Sequence, residues 1–281
     1  MKKIYVIMLT CNQKDETLRC LTELKKVITL DHQLKTILVD NASQDDTASA
    51  IKKIFPQIKL IINQENRGFA AGVNQGLKLA LKDKEMKFVL LLNNDTFLNK
   101  NFLKKLLEVI QKEKKIGLIA PALKHYQNNK LFYGMEGYLD LRKGLAKHRN
   151  VRVIKNKKII EADFLSGCCL LIRREVLEKI GLFDERFYLY LEDVDYCLRV
   201  RQAGYKAVLD PKIVIGHKVS AGFKNPLRKL PYSFWSNLIF IHKWTPWPYK
   251  ISAWLHCLYF YPFLALLWSL TSLSKASLTK R

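Results

Sequence analysis

The sequence predicts an α/β protein with a mostly parallel sheet and helices on both of its faces. Three observations carry that expectation. Up to Lys114 the chain alternates short apolar runs with amphipathic stretches of helical period. One run, Phe88-Val89-Leu90-Leu91-Leu92, shows no polar alternation, as expected for a strand buried on both faces. It stops abruptly at Asn93-Asn94-Asp95, and open parallel sheets bind ligands outside the carboxyl ends of their strands.

Ile4–Leu9 reads as the first strand. The residues Met1-Lys2-Lys3 before it superficially resemble a signal peptide. The apolar run is too short for one, and Cys11-Asn12-Gln13-Lys14 follows where a cleavage site needs small residues. Glu16–Ile28 reads as a helix with Leu18, Leu21, Leu24, Val27 and Ile28 on one face. Thr36–Val39 is the second strand, Asp40–Ser43 a loop and Asp46–Phe55 a helix. Lys59–Ile62 is a strand, Phe69–Leu81 a helix, Phe88–Leu92 a strand and Phe102–Lys114 a helix. Taken alone, Asn93-Asn94-Asp95 could be only a turn that leads into this last helix. No internal repeat is present.

The middle is less regular. Lys115–Asn150 is rich in Gly, Tyr, Lys and Asn, with short strands expected only near Leu118–Ala120 and Leu131–Gly134. Seven Lys or Arg lie between Lys143 and Lys158 without an acid. They read as a solvated, mobile loop, or as a lid or acceptor-facing loop that meets phosphate. Phe164–Ile172 reads as a buried strand, Glu175–Ile180 as a helix and Gly181–Asp184 as a turn. Glu192–Gln202 is helical and stops at Gly204. Lys206–Leu209 and Ile213–Ile215 read as strands, the second leading to Gly216-His217.

Composition narrows the partners. The 281 residues are 49% hydrophobic, enough for a real core. A net charge of +23 calls for an anionic partner: nucleic acid, lipid headgroups or a phosphorylated substrate. The absence of a recognition-helix motif or zinc spacing argues against nucleic acid. Cys11, Cys20, Cys168, Cys169, Cys197 and Cys257 form no C-x-x-C pair and read as reduced thiols in a cytosolic setting. No acid follows Asp210, while residues 211–281 carry ten Lys or Arg and all five tryptophans. Ile251–Ser274 is uncharged for 24 positions, long enough as a helix to cross a bilayer core of ~30 Å. Pro262 and His256 weaken a spanning reading, so an interfacial helix pair fits as well, as does a helix docked on the domain.

Four strings carry the chemistry. Leu38-Val39-Asp40-Asn41-Ala42-Ser43 puts a carboxylate at a strand end, where it can accept from a base N–H or a ribose hydroxyl. Asn63-x-x-Asn66-Arg67-Gly68-Phe69-Ala70-Ala71-Gly72-Val73-Asn74-x-Gly76 puts Arg67 at a helix start suited to diphosphate, although close helix–sheet packing needs the same glycines. The third is Asn93-Asn94-Asp95, where a carboxylate flanked by amides suits a hard divalent cation. The fourth is Asp163-Phe164-Leu165-Ser166-Gly167, then Glu192-Asp193-Val194-Asp195-Tyr196, then His217-Lys218.

In that order and spacing these strings resemble glycosyltransferase family 2, with its GT-A fold, closest to the bacterial rhamnosyltransferase-like branch. The resemblance covers roughly residues 3–222. It implies a catalytic domain over residues 1–222, and the composition beyond it reads as a basic, Trp-rich, membrane-associated helical tail over 223–281. It implies an inverting transfer of sugar from a nucleoside diphosphate (dTDP-rhamnose or a UDP-sugar) to a glycan or lipid-linked acceptor. That transfer would occur at the cytoplasmic face of a bacterial membrane. Asp40 then meets the base, with Thr10, Asn12, Asn41, Arg67, Gly68, Asn74, Asn93 and Asn94 on the donor side. Asp95 holds Mn2+ or Mg2+ and His217 completes the metal site. Asp193 is the general base, with Gly167 and Glu192 on the acceptor side. Asn93 departs from the family's D-x-D pattern, which leaves one carboxylate and one His as protein ligands. A nucleotidyltransferase of similar architecture would show a Gly-rich, basic N-terminal signature that Thr10-Cys11-Asn12-Gln13 is not. On the helical wheel Asp193 lies about 100° from Glu192 and about 200° from Asp195. Asp193 is therefore expected to face the donor, and Asp195 to sit on a polar flank with Glu192 and Arg199.

Overall fold

The structure is a computed structural model that describes residues 2–29, 31–127, 130–155, 158–218 and 226–278. Its first half follows β1 (Lys3–Thr10), α1 (Lys14–Leu24), β2 (Gln33–Asp40), α2 (Thr47–Ile54), β3 (Lys59–Ile62), α3 (Gly68–Leu81) and β4 (Met86–Leu92). The four strands pair in parallel in the order β3-β2-β1-β4. Side chains alternate across the sheet. Ile7, Ile37, Val89 and Leu91 pack with Val73 and Leu77 of α3 on one face. Val6, Met8, Leu38 and Leu90 pack with Leu21 and Leu24 of α1 on the other. α3 lies very close to the sheet: a Cβ on Gly72 would fall 2.6 Å from Leu9, and one on Gly76 2.7 Å from Ile7. Those two glycines therefore serve helix–sheet packing.

The second half adds β5 (Thr96–Phe97), α4 (Phe102–Lys112), β6 (Ile116–Gln127), β7 (Lys130–Asp140), β8 (Leu145–Val151) and β9 (Ile160–Glu161). It continues with β10 (Cys169–Arg173), α5 (Arg174–Ile180), α6 (Glu192–Gln202) and β11 (Lys206–His217). The sheet runs on as β4-β10-β6-β11-β5, with β10 antiparallel to both neighbours and β6 parallel to β11. It is a mixed sheet whose parallel strand ends carry the candidate site.

Three expectations need correcting. Residues 116–151 are not a loop with two short strands but an antiparallel meander of β6, β7 and β8. β8 is a charged edge strand, largely exposed, so it lacks the apolar alternation that marks a strand in sequence. The strand expected over Phe164–Ile172 is only Cys169–Arg173. Phe164 instead packs on Gly137, where an added Cβ would lie 2.2 Å from its ring. The two last strands are one, β11, whose register shifts between Asp210 and Val214 around Pro211, which has no N–H to give.

A 3-10 turn (Pro226–Lys229) leads to α7 (Leu230–Trp244) and α8 (Tyr249–Leu278). The expected domain boundary at 222/223 lies outside the described residues. Among the described residues no helix is long and apolar enough to cross a membrane, and α8 contains Pro262. α7 shares the core of the sheet. Phe240 is fully buried there, and the Ser236 hydroxyl donates to Leu189 O at 2.8 Å. Trp244 Nε1 donates to Asp195 Oδ1 at 2.9 Å. Lys243 Nζ lies 2.6 Å from Asp195 and 3.0 Å from Asp184.

Asp195 is fully buried, so losing a cation beside it leaves charge without compensation. Arg199 and Trp244 remain in Lys243→Met, so the expected loss is about 2–3 kcal/mol, below the full penalty for a broken buried pair. Thermal denaturation should show a melting temperature lower by about 5–10 °C. Deleting α7 should leave no cooperative transition. A chain cut before Leu230 that melts like the intact protein would contradict this packing.

Candidate active site

The metal-like corner forms where β4 ends. Asn93 N donates to Cys168 O at 2.8 Å, and Asn93 O accepts from the Thr96 hydroxyl at 2.8 Å. β5 then pairs antiparallel with the end of β11, setting His217 opposite Thr96 and Gly216 opposite Phe97. This register brings His217 Nε2 to 3.2 Å from Asp95 Oδ1, and Lys218 N donates to Asp95 O at 3.1 Å. A Cβ on Gly216 would lie 2.9 Å from Phe97, so the close pairing needs a glycine there. One carboxylate and one imidazole could hold a divalent ion whose other ligands come from substrate oxygens. Among the described residues no group of three such side chains gathers.

Asp40 ends β2, fully buried. Its Oδ1 accepts from Ser43 N at 3.1 Å and from the Ser43 hydroxyl. Its Oδ2 is buried with no hydrogen-bond partner among the described residues. An unsatisfied buried acceptor is costly, and a donor N–H or hydroxyl from a ligand would relieve it.

The other residues expected on the donor side divide into two groups. Asn12, at φ 53°, clips the first loop to the second: its N donates to Ser43 Oγ at 2.9 Å and its Oδ1 accepts from Gln44 N at 2.6 Å. Asn93 is half-buried at the corner, with the geometry given above. Arg67 is exposed at the start of α3. Gly68 follows at φ 76°, and a Cβ there would lie 2.4 Å from Tyr188 O, so only glycine fits.

The other four correct the sequence reading. Thr10 and Asn94 are buried: the Thr10 and Thr17 hydroxyls sit 2.9 Å apart, and Asn94 Nδ2 donates to them at 3.1 and 2.9 Å. Asn41 Nδ2 donates to Asn66 Oδ1 (2.8 Å) and Gly68 O (3.1 Å), while its Oδ1 accepts from Asn63 Nδ2 (2.9 Å) and Arg67 N (3.1 Å). Asn74 Nδ2 donates to Phe183 O and Glu185 Oε1, both at 2.9 Å, and its Oδ1 accepts from Phe183 N at 3.0 Å. These side chains brace loops from inside, and their donors are already used.

α6 begins after two consecutive left-handed residues, Tyr190 (φ 72°) and Leu191 (φ 66°). Left-handed non-glycine residues cost roughly 1–2 kcal/mol each, and here the packing of the 188–191 turn on α3 and α7 holds them. Asp193 in the first turn is half-buried. Its Oδ2 accepts from Gly167 N and its Oδ1 from Val194 N, both at 2.8 Å. Glu192 is buried, and burial, then the Asp193 charge, push its carboxyl well above the usual range. Asp195 corrects the helical-wheel expectation. It is fully buried beside Arg199 (2.9 Å), Lys243 and Trp244, because α7 covers that side of α6. Sequence reasoning missed this contact, since Lys243 and Trp244 read as part of a basic, Trp-rich tail.

The Asp95 and Asp193 sites are neighbours. Gly167 N binds Asp193 while Cys168 O binds Asn93 N, so one dipeptide touches both. Burial raises the Cys168 thiol well above its usual range, and the charges of Asp95 and Asp193 both add to it.

This chain belongs to glycosyl transferase family 2, whose sequence profile matches residues 5–181. It is a glycosyltransferase. A N-acetylglucosaminyl-diphospho-decaprenol L-rhamnosyltransferase of Mycobacterium tuberculosis is 24% identical over 233 residues, 75% of each chain. A dTDP-rhamnosyl transferase of Shigella flexneri is 22% identical over 217 residues, 77% of this chain and 69% of its own. In structure the chain is similar to a Pyrobaculum calidifontis mannosyltransferase in complex with GDP-Man and Mn2+ (TM-score 0.58, 18% identity, 98% of this chain and 74% of that one). It is also similar to GalNAc-T7 with UDP, GalNAc and Mn2+ (TM-score 0.63, 17% identity, 84% of this chain), though it spans only 48% of that longer chain. Those two share the GT-A-like fold.

The raised carboxyl of Glu192 sets a sign for pH. The native state keeps this proton while the unfolded chain releases it above its ordinary value, so stability falls as pH rises from about 4.5. Glu192→Gln keeps the shape without the charge. Its melting temperature should match wild type near pH 4.5 and exceed it at pH 8. A variant that melts lower than wild type at pH 8 would mean that Glu192 is ionised and paired in the native state.

Proposed function

We propose that this chain is an inverting glycosyltransferase. It moves a sugar from a nucleoside diphosphate, dTDP-rhamnose or a UDP-sugar, to a hydroxyl of a glycan or lipid-linked acceptor in cell-surface polysaccharide synthesis. The observation that carries the reading is the Gly167-Cys168 dipeptide, hydrogen-bonded to Asp193 on one side and to the Asn93–Asp95 corner on the other. A base for the acceptor and an anchor for the leaving group must lie that close together. Family membership favours glycosyl transfer over nucleotidyl transfer. The rhamnosyl relatives favour dTDP-rhamnose as donor.

In this reading the base of the donor nucleotide gives its hydrogen bond to Asp40 Oδ2, the buried acceptor left open. Asn12 and Asn93 face the nucleoside, and Arg67 and the N–H groups at the start of α3 meet diphosphate oxygens. Asp95 and His217 would hold a divalent ion such as Mn2+ or Mg2+, which would supply positive charge to the diphosphate leaving group. Asp193 removes the acceptor hydroxyl proton as the oxygen attacks the anomeric carbon from the face opposite the diphosphate. Two backbone N–H donors fix the Asp193 carboxylate and leave its remaining lone pairs for that proton. Burial and the Asp193 charge raise the carboxyl of Glu192 beside it, which disfavours a second negative charge there.

The tail supports a place on the cytoplasmic face of the membrane, held peripherally. α7 and α8 expose Trp235 (63%), Trp247 (68%), Tyr259 (76%) and Phe263 (58%), and no acid follows Asp210. Aromatic residues at headgroup depth and basic residues worth ~1 kcal/mol each near an anionic leaflet fit such a surface. Sedimentation with phosphatidylglycerol vesicles should fall as salt rises. Protein that ignores these vesicles at low salt removes the membrane from the account.

Kinetics test the site. Asp193→Asn should lower transfer by at least ~10²-fold, the low end for a lost general base, with donor affinity little changed. Asp95→Ala should abolish the gain in donor affinity on adding Mn2+, while Asn93→Asp keeps it. Asp195→Asn should lose stability first, because the carboxylate is fully buried and paired with Arg199 and Lys243. Near-normal turnover in folded Asp193→Asn would overturn the assignment of the base.

A further inference from the structure

We infer that α1 positions the candidate metal corner, with Arg19 and Glu23 as the residues that set Asp95 against His217; the inference rests on the metal-assisted reading above and adds the side chains that shape its ion site. Asp95 and His217 meet because β5 pairs with the last two residues of β11. β5 is itself only two residues long, Thr96 and Phe97. A ladder that short does not hold its register alone. The element that holds it is α1.

Glu16, Arg19, Cys20 and Glu23 recur at i, i+3, i+4 and i+7 and share one face of α1. That face meets the corner residue by residue. Arg19 Nη1 donates to Thr96 O at 2.7 Å, and its guanidinium lies 3.7 Å from the centre of the Phe97 ring. Glu23 Oε2 accepts from Leu98 N at 2.6 Å, while its Oε1 accepts from Arg19 Nη1 at 3.3 Å. Cys20 Sγ lies 3.4 Å from the Thr96 hydroxyl. Beyond the other ligand, Lys218 Nζ reaches Glu16 Oε1 at 2.6 Å. Thus the residue after Asp95 and the residue after His217 are both tied to α1. As a source of stability this arrangement is poor. The Arg19–Glu23 pair is partly exposed, and Arg19 Nη2 is buried with no hydrogen-bond partner among the described residues. What it supplies is geometry. Groups around a metal ligand fix its direction and tune the affinity of the site. With one carboxylate and one imidazole as protein ligands, a displaced ligand has no substitute.

The test uses the full chain with Mn2+ and either dTDP or UDP as probes, well below the melting temperature. Arg19→Ala and Glu23→Ala should each weaken Mn2+ binding to the protein–nucleotide complex at least ~10-fold, the low end for a group that orients a metal ligand, as read from the free Mn2+ signal by electron paramagnetic resonance. Nucleotide affinity without metal should stay at the wild-type value. Arg19→Lys keeps the cation and a donor for Thr96 O, so it should recover part of the loss. Thr22→Ala, on the exposed side of α1, should leave Mn2+ affinity unchanged. Equal weakening in Thr22→Ala would make the effect one of helix stability and overturn the assignment. In metal-free protein the His217 imidazole signals, followed by nuclear magnetic resonance, should shift in both alanine variants. A lower melting temperature with unchanged Mn2+ affinity and unchanged His217 signals would make the pair purely structural and also overturn it. If wild-type protein binds nucleotide with no gain from Mn2+, the metal reading fails, and the His217 signals alone decide whether α1 sets the corner.

Discussion

The site depends on one short piece of backbone. Gly167 N points to Asp193 and Cys168 O accepts from Asn93, and the two bonds fix a carboxylate on α6 against the end of β4. Antiparallel β10 begins with the next residue and pairs with β4, so the dipeptide is anchored by the sheet. A side chain at 167 would lie against Asp193 Cβ at 3.4 Å, an ordinary contact distance. The constraint there is the backbone path: Phe164 dives under Gly137, and the chain must return to the sheet within five residues.

A second constraint is the buried charge of Asp195. A fully buried carboxylate needs compensation, and three side chains supply it: Arg199 from α6 itself, and Lys243 and Trp244 from α7. Lys243 also reaches Asp184 in the loop that Asn74 braces from α3. The orientation of α6, and with it Asp193, is thus tied to α7. Whatever α8 does at a surface, α7 belongs to the machinery that holds the site. The position of α7 and the geometry at α6 are physically linked.

The first half of the fold was legible because buried parallel strands leave long apolar runs and their helices a clear period. Every element through β4 stands within a few residues of its expected place. The meander of β6–β8 was not legible, since polar, glycine-containing edge strands carry no such signal. The pairing of Asp95 with His217 could be anticipated only from motif order, because 121 residues separate them and a two-residue strand joins them. Asn41, Asn74 and Asn94 show the limit of reading amides: a side chain that braces a loop and one that meets a ligand look alike in sequence. Asp195 shows another limit. A helical wheel gives its direction, but only the structure shows that α7 arrives on that side.

In the proposed mechanism Asp40 and Asp95 meet a single donor laid along the strand ends, and Asp193 faces its reacting sugar from the acceptor side. A crystal structure of the chain with dTDP or UDP and Mn2+ tests it most directly. The account predicts the base on Asp40 Oδ2, the metal on Asp95 and His217, and the terminal phosphate facing Asp193 across Gly167-Cys168. A nucleotide bound elsewhere, or a metal that leaves the Asp95–His217 contact intact and touches neither residue, would contradict it.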